Sequence, residues 1–412
     1  MSFQQGLSGL NGAAKNLDVI GNNVANANTS GFKLGSAIFG DVFAASLGGG
    51  GGTQVGIGTQ ITSVNQQFTQ GNISLSNNPL DIAINGQGFF RMSDAGAITY
   101  TRNGGFSVDK EGYVVSSRGH NLTGFEARNG AIVPGVLVNL QLSSSDLLPK
   151  ASTAASVGAN LASTATGLPL AGFVATDPKT YNFSTASTLY DTLGQSHTMT
   201  MYFVKDDVTA NQWYGSVFVD GLNADAKIAG VPQYSSLTFD NQGVLTGASN
   251  TVKGLTALEL GNGAAALSVT MDYSDVTQFG SGFGVNSLSQ DGFASGRLSG
   301  YNIGNDGIIL GRYTNGQSQM LGQVALSNFV NPQGLSPLGD SMWAESATSG
   351  IPLTGAPGTA SLGQVQSGAK EDSNVDLTAE LVNMITAQRV YQANAQSIKA
   401  QDAVLQTLVN LK

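Results

Sequence analysis

The sequence predicts a mainly β protein with α-helical termini: two nested β domains plus a terminal coiled-coil helix pair, both termini at one end. Three observations carry this. Both ends of the 412-residue chain place apolar residues at helical spacing. The middle carries short alternating runs broken by turn dipeptides. Glycine- or proline-rich stretches separate the two patterns.

The first helix is read from Phe3, Leu7, Leu10, Ala14, Leu17, Gly21 and Val24, whose steps of four and three make a heptad seam. It ends in "NNVANANTSGFK", where Asn22, Asn23, Asn26 and Asn28 offer side-chain amides for hydrogen bonding. Gly31 there is expected to redirect the chain and Phe32 to anchor it. A glycine run follows, Gly48, Gly49, Gly50, Gly51 and Gly52, too flexible for the interior of an element. Amide tract and glycine run together are read as an assembly hinge and linker.

From Leu80 to about Gly363 the period changes. "LDIAING" turns Leu80, Ile82 and Ile84 toward one face before Asn85-Gly86, and further turn signals stand at Asn103-Gly104, Glu111-Gly112 and Asn315-Gly316. "TMTMYFVKDD" and "WYGSVFVDG" read as neighbouring strands, and "SLTFDNQGVLTG" as a hairpin or the edge of one. The Ala/Ser/Thr-rich tract from Ala151 to Gly172 is too weakly periodic to assign beyond the entry to that block. "GIPLTGAPGTASLG" is expected to be a plain connector leading back.

The last helix carries Leu377, Leu381, Met384, Tyr391, Ala395, Ile398, Leu405 and Val409, with Gln388 and Asp402 interrupting the seam. Asp372, Asp376 and Glu380 crowd its start, where negative charge complements the helix dipole, and Ser373 or Asn374 is the expected N-cap. An isolated amphipathic helix is marginal in water. The expected partners of each terminal helix are the other one and copies in neighbouring molecules. The candidate assembly interface is therefore Phe3, Leu7, Leu10, Leu17, Val24, Leu377, Leu381, Met384, Tyr391, Ile398 and Leu405. The expected domains are an inner helical one (1–75 and 370–412, with a linker at 30–75), a middle β domain (76–149 and 286–369) and an outer β insert (150–285).

Composition removes several classes of function. Charged residues make up only 11%, far below the usual quarter or so, which leaves a surface that repels neighbours weakly. Eighteen basic against 27 acidic residues give a net charge of −9, so no nucleic acid is expected as partner. No apolar run approaches the roughly 18 residues of a membrane span, and the N-terminus lacks the pattern of a secretory signal. Cysteine is absent, and His120 and His197 are each read as isolated surface histidines. No catalytic constellation, metal site or cofactor motif is expected.

The stretches "SGLNGAAKNLDVIGNNVANANTSGFK", "LDIAINGQGFFRM", "TYTRNGGFSVDKEGYVVSSRGHNLTGF" and "NVDLTAELVNMITAQRVYQANAQSIKAQDAVLQTLVNLK" resemble the rod and hook proteins of the bacterial flagellum. The likeness covers roughly residues 1–130 and 295–412, and the insert at about 150–285 resembles the hook type rather than the shorter distal rod type. A distal rod component is the alternative, and a secreted β-rich adhesin or glycan-binding enzyme a third.

The resemblance implies a subunit of the curved, flexible tube that joins motor rod to filament. It also implies export through the flagellar type III apparatus, a place outside the cell, and assembly as a helical homopolymer. The implied partners are copies of the chain, the distal rod protein, the hook cap and the hook–filament junction proteins. Phe3 and Leu7 resemble a short export-recognition element. The terminal helices are then expected to form an inner tube, with the first β domain around it and the second outermost.

Overall fold

The computed structural model describes residues 2–42, 56–128, 130–142, 146–223, 234–246 and 255–410. Gly48 to Gly52 of the expected linker lie outside them. The chain forms two compact units, one from Met1–Ser144, Gly300–Gly311 and Ser318–Lys412, the other from Ser145–Ser299 with Arg312–Gln317.

The first unit holds both helices, α1 (Ser2–Ala25) and α2 (Leu377–Asn410), together with a β body. Directly after α1, β1 (Gly35–Val42) pairs antiparallel with β2 (Gly58–Gln66), Gly35 opposite Gln66 and Val42 opposite Gly58. The body is built on the ladder of Phe89–Asp94 with Ala97–Thr101, extended on one side by Asn121–Arg128 and on the other by Met342–Ala344. Its main core gathers Ile82, Ile84, Phe90, Met92, Phe106, Leu122 and Leu326. A second core packs Phe89, Tyr100, Phe329 and Trp343, with edge-on ring contacts of 4.8 to 6.1 Å.

Two segments differ from expectation. Ala83 is as fully buried as Ile82 and Ile84, so this strand is covered on both faces where alternation suggested one. The "GIPLTGAPGTASLG" connector contains a strand, Leu353–Gly355, which adds antiparallel to Leu326–Asn328. Three ladder residues between glycines and prolines are too short to leave a periodic signal.

In the second unit, Phe183–Tyr190, Ser196–Lys205 and Gln212–Val219 form an antiparallel meander, joined by Ser235–Thr238. The hairpin read in "SLTFDNQGVLTG" is present, with an antiparallel bridge between Phe239 and Leu245. The Ala/Ser/Thr tract supplies Ala154–Asn160, an inner strand parallel to Leu267–Asp272 and antiparallel to Gly284–Gln290. Its small residues allow close packing but mask its period. Met199, Met201, Phe203 and Trp213 from the meander meet Val157, Val269, Met271 and Tyr273 from this second sheet in one core. Buried Trp213 donates its Nε1–H to Gln278 Oε1 at 2.9 Å, so the ring brings no unpaired donor inside.

The terminal helix pair and its junction as a candidate assembly site

The helices pair antiparallel, and small side chains set their distance. A Cβ at Gly6 would stand 3.0 Å from Ile398 Cγ1, and one at Gly9 2.8 Å from Asn394 Oδ1, so glycine is what lets the backbones approach here. At the other end, buried Asn23 on α1 donates from Nδ2 to Glu380 Oε2 on α2 at 2.9 Å. Ala13, Ile20 and Ala387 are buried between these ends. The heptad reading of α1 thus finds a second row beside the first. Gly6, Ala13, Ile20 and Asn23 face inward, while the larger Phe3 and Leu7 do not.

One side of the pair is flanked by the β1–β2 hairpin. Gln5 donates from Nε2 to Gly56 O at 2.6 Å, and Ser8 Oγ accepts from Thr59 N at 3.3 Å. A cleft of about 630 Å³ lies between α1, α2 and the hairpin, lined among others by Gly12, Ile20, Phe39, Ala387 and Val390. None of the eleven seam residues lines it. At about 3.6 residues per turn, Phe3, Leu7, Leu10, Leu17 and Val24 turn away from Gly12, Asn16 and Val19. In an antiparallel pair, Leu377, Leu381, Met384 and Tyr391 fall on that same side.

Exposure agrees with this geometry. Phe3, Leu7, Leu377, Leu381 and Leu405 are between 44% and 54% exposed, and Tyr391 37%. Leu10, Leu17, Val24 and Met384 are half-buried. Ile398 is half-buried as well, but over Gly6, in the contact between the two helices. The pair therefore carries a covered face and an apolar face without a partner among the described residues.

The start of α2 corrects the expected cap. Asp376, not Ser373 or Asn374, caps it: Asp376 Oδ1 accepts from Thr378 N at 2.9 Å and Ala379 N at 3.1 Å. Asn374 instead ties the incoming strand to the chain leaving α1. Its Oδ1 accepts from Leu34 N at 2.7 Å, and its Nδ2 donates to Gln67 O at 2.8 Å.

The amide tract is fastened rather than loose. Asn23 Nδ2 also donates to Gly35 O at 2.8 Å while its Oδ1 accepts from Gly35 N at 2.9 Å, so one side chain pins helix, hairpin and α2 together. Asn26 donates to Asn22 O and Oδ1, and Thr29 Oγ1 donates to Asn26 Oδ1. Asn22 and Asn28 are exposed. Gly31 has φ +71°, and a Cβ there would lie 2.5 Å from Asn103 N, so the chain can turn here only as glycine. Phe32 lines a second cleft of about 300 Å³ with Val19, Val64, Phe68 and Leu335.

Beneath this turn lies a buried ionic knot that hydrophobic periodicity does not reveal. Lys33, fully buried, donates from Nζ to Glu371 Oε1 at 2.6 Å and to Thr69 O at 2.6 Å. Arg102 donates from Nη1 to Glu371 Oε2 at 3.0 Å and from Nη2 to Gly86 O at 2.7 Å, and it lies over the Phe89 ring at 5.5 Å. Gly71 N also donates to Glu371 Oε1, and Gly31 N to Glu371 O. Burial pushes the Lys33 ammonium and the Arg102 guanidinium below their ordinary values, with the Glu371 carboxylate pulling both back up. One carboxylate thus holds the segment after α1, the strand before α2 and the β body in a single place. The sequence signal was available: Lys33 and Glu371 are charges at the inner ends of both helices, in a chain poor in charge.

Four family models match the chain in order. They are Flagella basal body rod protein (residues 3–33), Flagellar hook protein FlgE/F/G D1 domain (83–157), Flagellar basal body protein FlaE D2 domain (160–293) and Flagellar basal body rod FlgEFG protein C-terminal (366–411). The chain is 40% identical over 423 residues to the flagellar hook protein FlgE of Salmonella typhimurium, covering 100% of both chains. It is 40% identical over 421 residues to that of Escherichia coli, again covering 100% of both. To that of Borreliella burgdorferi it is 32% identical over 453 residues, covering 100% of this chain and 99% of the relative. The crystal structure of the Helicobacter pylori flagellar hook protein FlgE2 shares the fold at 14% identity, with a TM-score of 0.51 over 73% of this chain and 99% of that one. Nested helical ends, two β units and full-length identity together establish that the chain belongs to the flagellar hook protein family.

Proposed function

We propose that the chain acts as a hook subunit by docking the open apolar face of its helix pair onto copies of itself. The polymer is a curved, flexible tube outside the cell, a universal joint that carries torque from the motor rod to the filament. The observation that supports this reading is that face: Phe3, Leu7, Leu377 and Leu381 are nearly half exposed on helices whose other side is flanked by the hairpin. Burying the exposed part of each such side chain contributes roughly 1 kcal/mol. A row of them repeated around an axis resists twisting.

Bending asks the opposite of the outer contacts, which must be weak and reversible. The Ser/Thr/Asn/Gly-rich block at 150–285 suits that, because polar contacts in water are individually worth little. In this reading 1–75 with 370–412 is the inner domain, 76–149 with 286–369 the middle one and 150–285 the outer one. The junction works as a fixed anchor at Asn23, Lys33 and Glu371. Export through the flagellar type III apparatus, with Phe3 and Leu7 recognised, precedes assembly between the distal rod protein and the hook–filament junction proteins, under the hook cap. The likeness to the hook relative runs over its full length, the block at 150–285 included, and favours this reading over a distal rod component.

Salting the purified chain out of solution and imaging it by electron microscopy tests the proposal. Short curved tubes are expected. Straight rods, or no ordered polymer, contradict it.

A further inference from the structure

The second unit contains a buried histidine that its sequence context disguises as an ordinary surface one. His197 lies in the strand Ser196–Lys205, opposite Leu189, and is only 9% exposed. Both ring nitrogens meet carboxylates: Nδ1 is 2.6 Å from Asp220 Oδ2 and Nε2 is 3.2 Å from Asp191 Oδ2. A neutral imidazole has one N–H and can donate to only one of them. Both contacts are donated only by the imidazolium.

Asp191 also organises a turn, and Asp220 ties the turn it stands in to the neighbouring strand. Asp191 Oδ1 accepts from Leu193 N at 2.9 Å and Gln195 N at 2.8 Å, and its Oδ2 accepts from Asn262 Nδ2 at 2.6 Å. Asp220 Oδ1 accepts from Thr198 N at 2.8 Å. The turn before His197, the turn after Gln212–Val219 and the loop carrying Asn262 therefore converge on one side chain. Among the described residues, Asp191 and Asp220 are the charged groups at the ring, and Asn262 and Gln195 complete its polar surround, with Asn262 Nδ2 also donating to Gln195 Oε1 at 3.2 Å.

We propose that His197 is a proton-operated lock on the second unit: protonated, it clasps the two acidic turns and the Asn262 loop together; deprotonated, it releases one carboxylate and loosens that end. Burial opposes the charge on His197, but the hydrogen bonds to Asp220 and Asp191 outweigh it, and the net displacement is upward. Asp191 and Asp220 are held below the usual carboxylate range: burial works against this, and bonds from Gln195 N to the one and from His197 to both prevail. A raised histidine contributes stability fully below its unfolded value of about 6.5 and loses it as pH climbs through the folded value. Lowered carboxylates contribute above about 3.9 and lose that as pH falls. The lock is closed between these limits and opens on the alkaline side.

The chain has two histidines, so His120→Gln leaves a single imidazole for NMR of histidine-labelled full-length protein. The His197 Cε1 resonance should titrate with a midpoint above about 6.5. In a Trp343→Phe background, the urea midpoint read from Trp213 fluorescence should fall over the same pH interval, and His197→Gln should remove that dependence. A titration midpoint at or below the ordinary value overturns the proposal, as does an unchanged alkaline slope in His197→Gln. Should that variant not fold, the titration of the native side chain decides.

Discussion

Replacing Glu371 with Ala should cost the first unit about 3–5 kcal/mol, the range for removing one partner of a buried ion pair. The magnitude follows from what remains. Lys33 and Arg102 are buried at 0% and 4% side-chain exposure, and Glu371 is the carboxylate between them. Without it two buried cations lose the carboxylate that pairs with both among the described residues, and Gly71 N loses its acceptor. The damage should be local at first. The ladder of Ile73–Leu75 with Ala369–Glu371 ends at this residue, so hydrogen exchange there should quicken by orders of magnitude. Glu371→Gln keeps the shape and part of the hydrogen bonding but not the charge, and should fall between. Native-like exchange across this ladder in Glu371→Ala would show that the knot does not hold the junction.

The second large effect belongs to the open face. Leu381→Asp should abolish polymerisation and leave the isolated chain folded, because Leu381 is 44% exposed there and, on the proposed docking, buries on assembly. Leaving its exposed part, somewhat under half of the side chain, unburied removes up to about 1.4 kcal/mol, a rise of roughly tenfold in critical concentration, and the unpaired charge adds to this. Ile398→Asp should differ in kind. Ile398 sits over Gly6, so a carboxylate there parts α1 from α2 within one molecule. Circular dichroism and sedimentation after salting-out separate the two cases: helix content kept in the first, reduced in the second. Assembly of Leu381→Asp at native concentrations would refute the role given to this face.

Much of this architecture was legible in the sequence, and the reasons differ by element. The helices announced themselves because a stripe of Leu, Ile and Val at heptad spacing has few other uses. The neighbouring strands Ser196–Lys205 and Gln212–Val219 were legible because Met199, Met201 and Phe203 alternate with polar residues; Phe183–Tyr190, a run of small and hydroxyl side chains, was not read. The inner contact between the helices was not, because Gly6, Gly9, Ala13 and Ala387 pack by being small, and smallness carries no hydropathy signal. The apolar residues that did stand out mark the face that stays open. Asn23, Lys33 and Glu371 escaped because a long-range polar contact has no period. His197 was read as a surface residue because a histidine flanked by Ser196 and Thr198 looks exposed; its acids come from turns at Asp191 and Asp220.

The hinge reading changes most. Gly31 does redirect the chain, but Asn23 and Lys33 bind its flanks to α2, the hairpin and the β body. A fastened junction transmits torque where a loose one would absorb it.

Since the chain contains no cysteine, a thiol at position 381 is unique and can be timed with an alkylating reagent. In Leu381→Cys the soluble chain should label rapidly and the thiol should be strongly protected, at least about tenfold, once tubes have formed. Equal labelling rates in chain and tube would contradict the claim that the open face of the helix pair is where subunits meet.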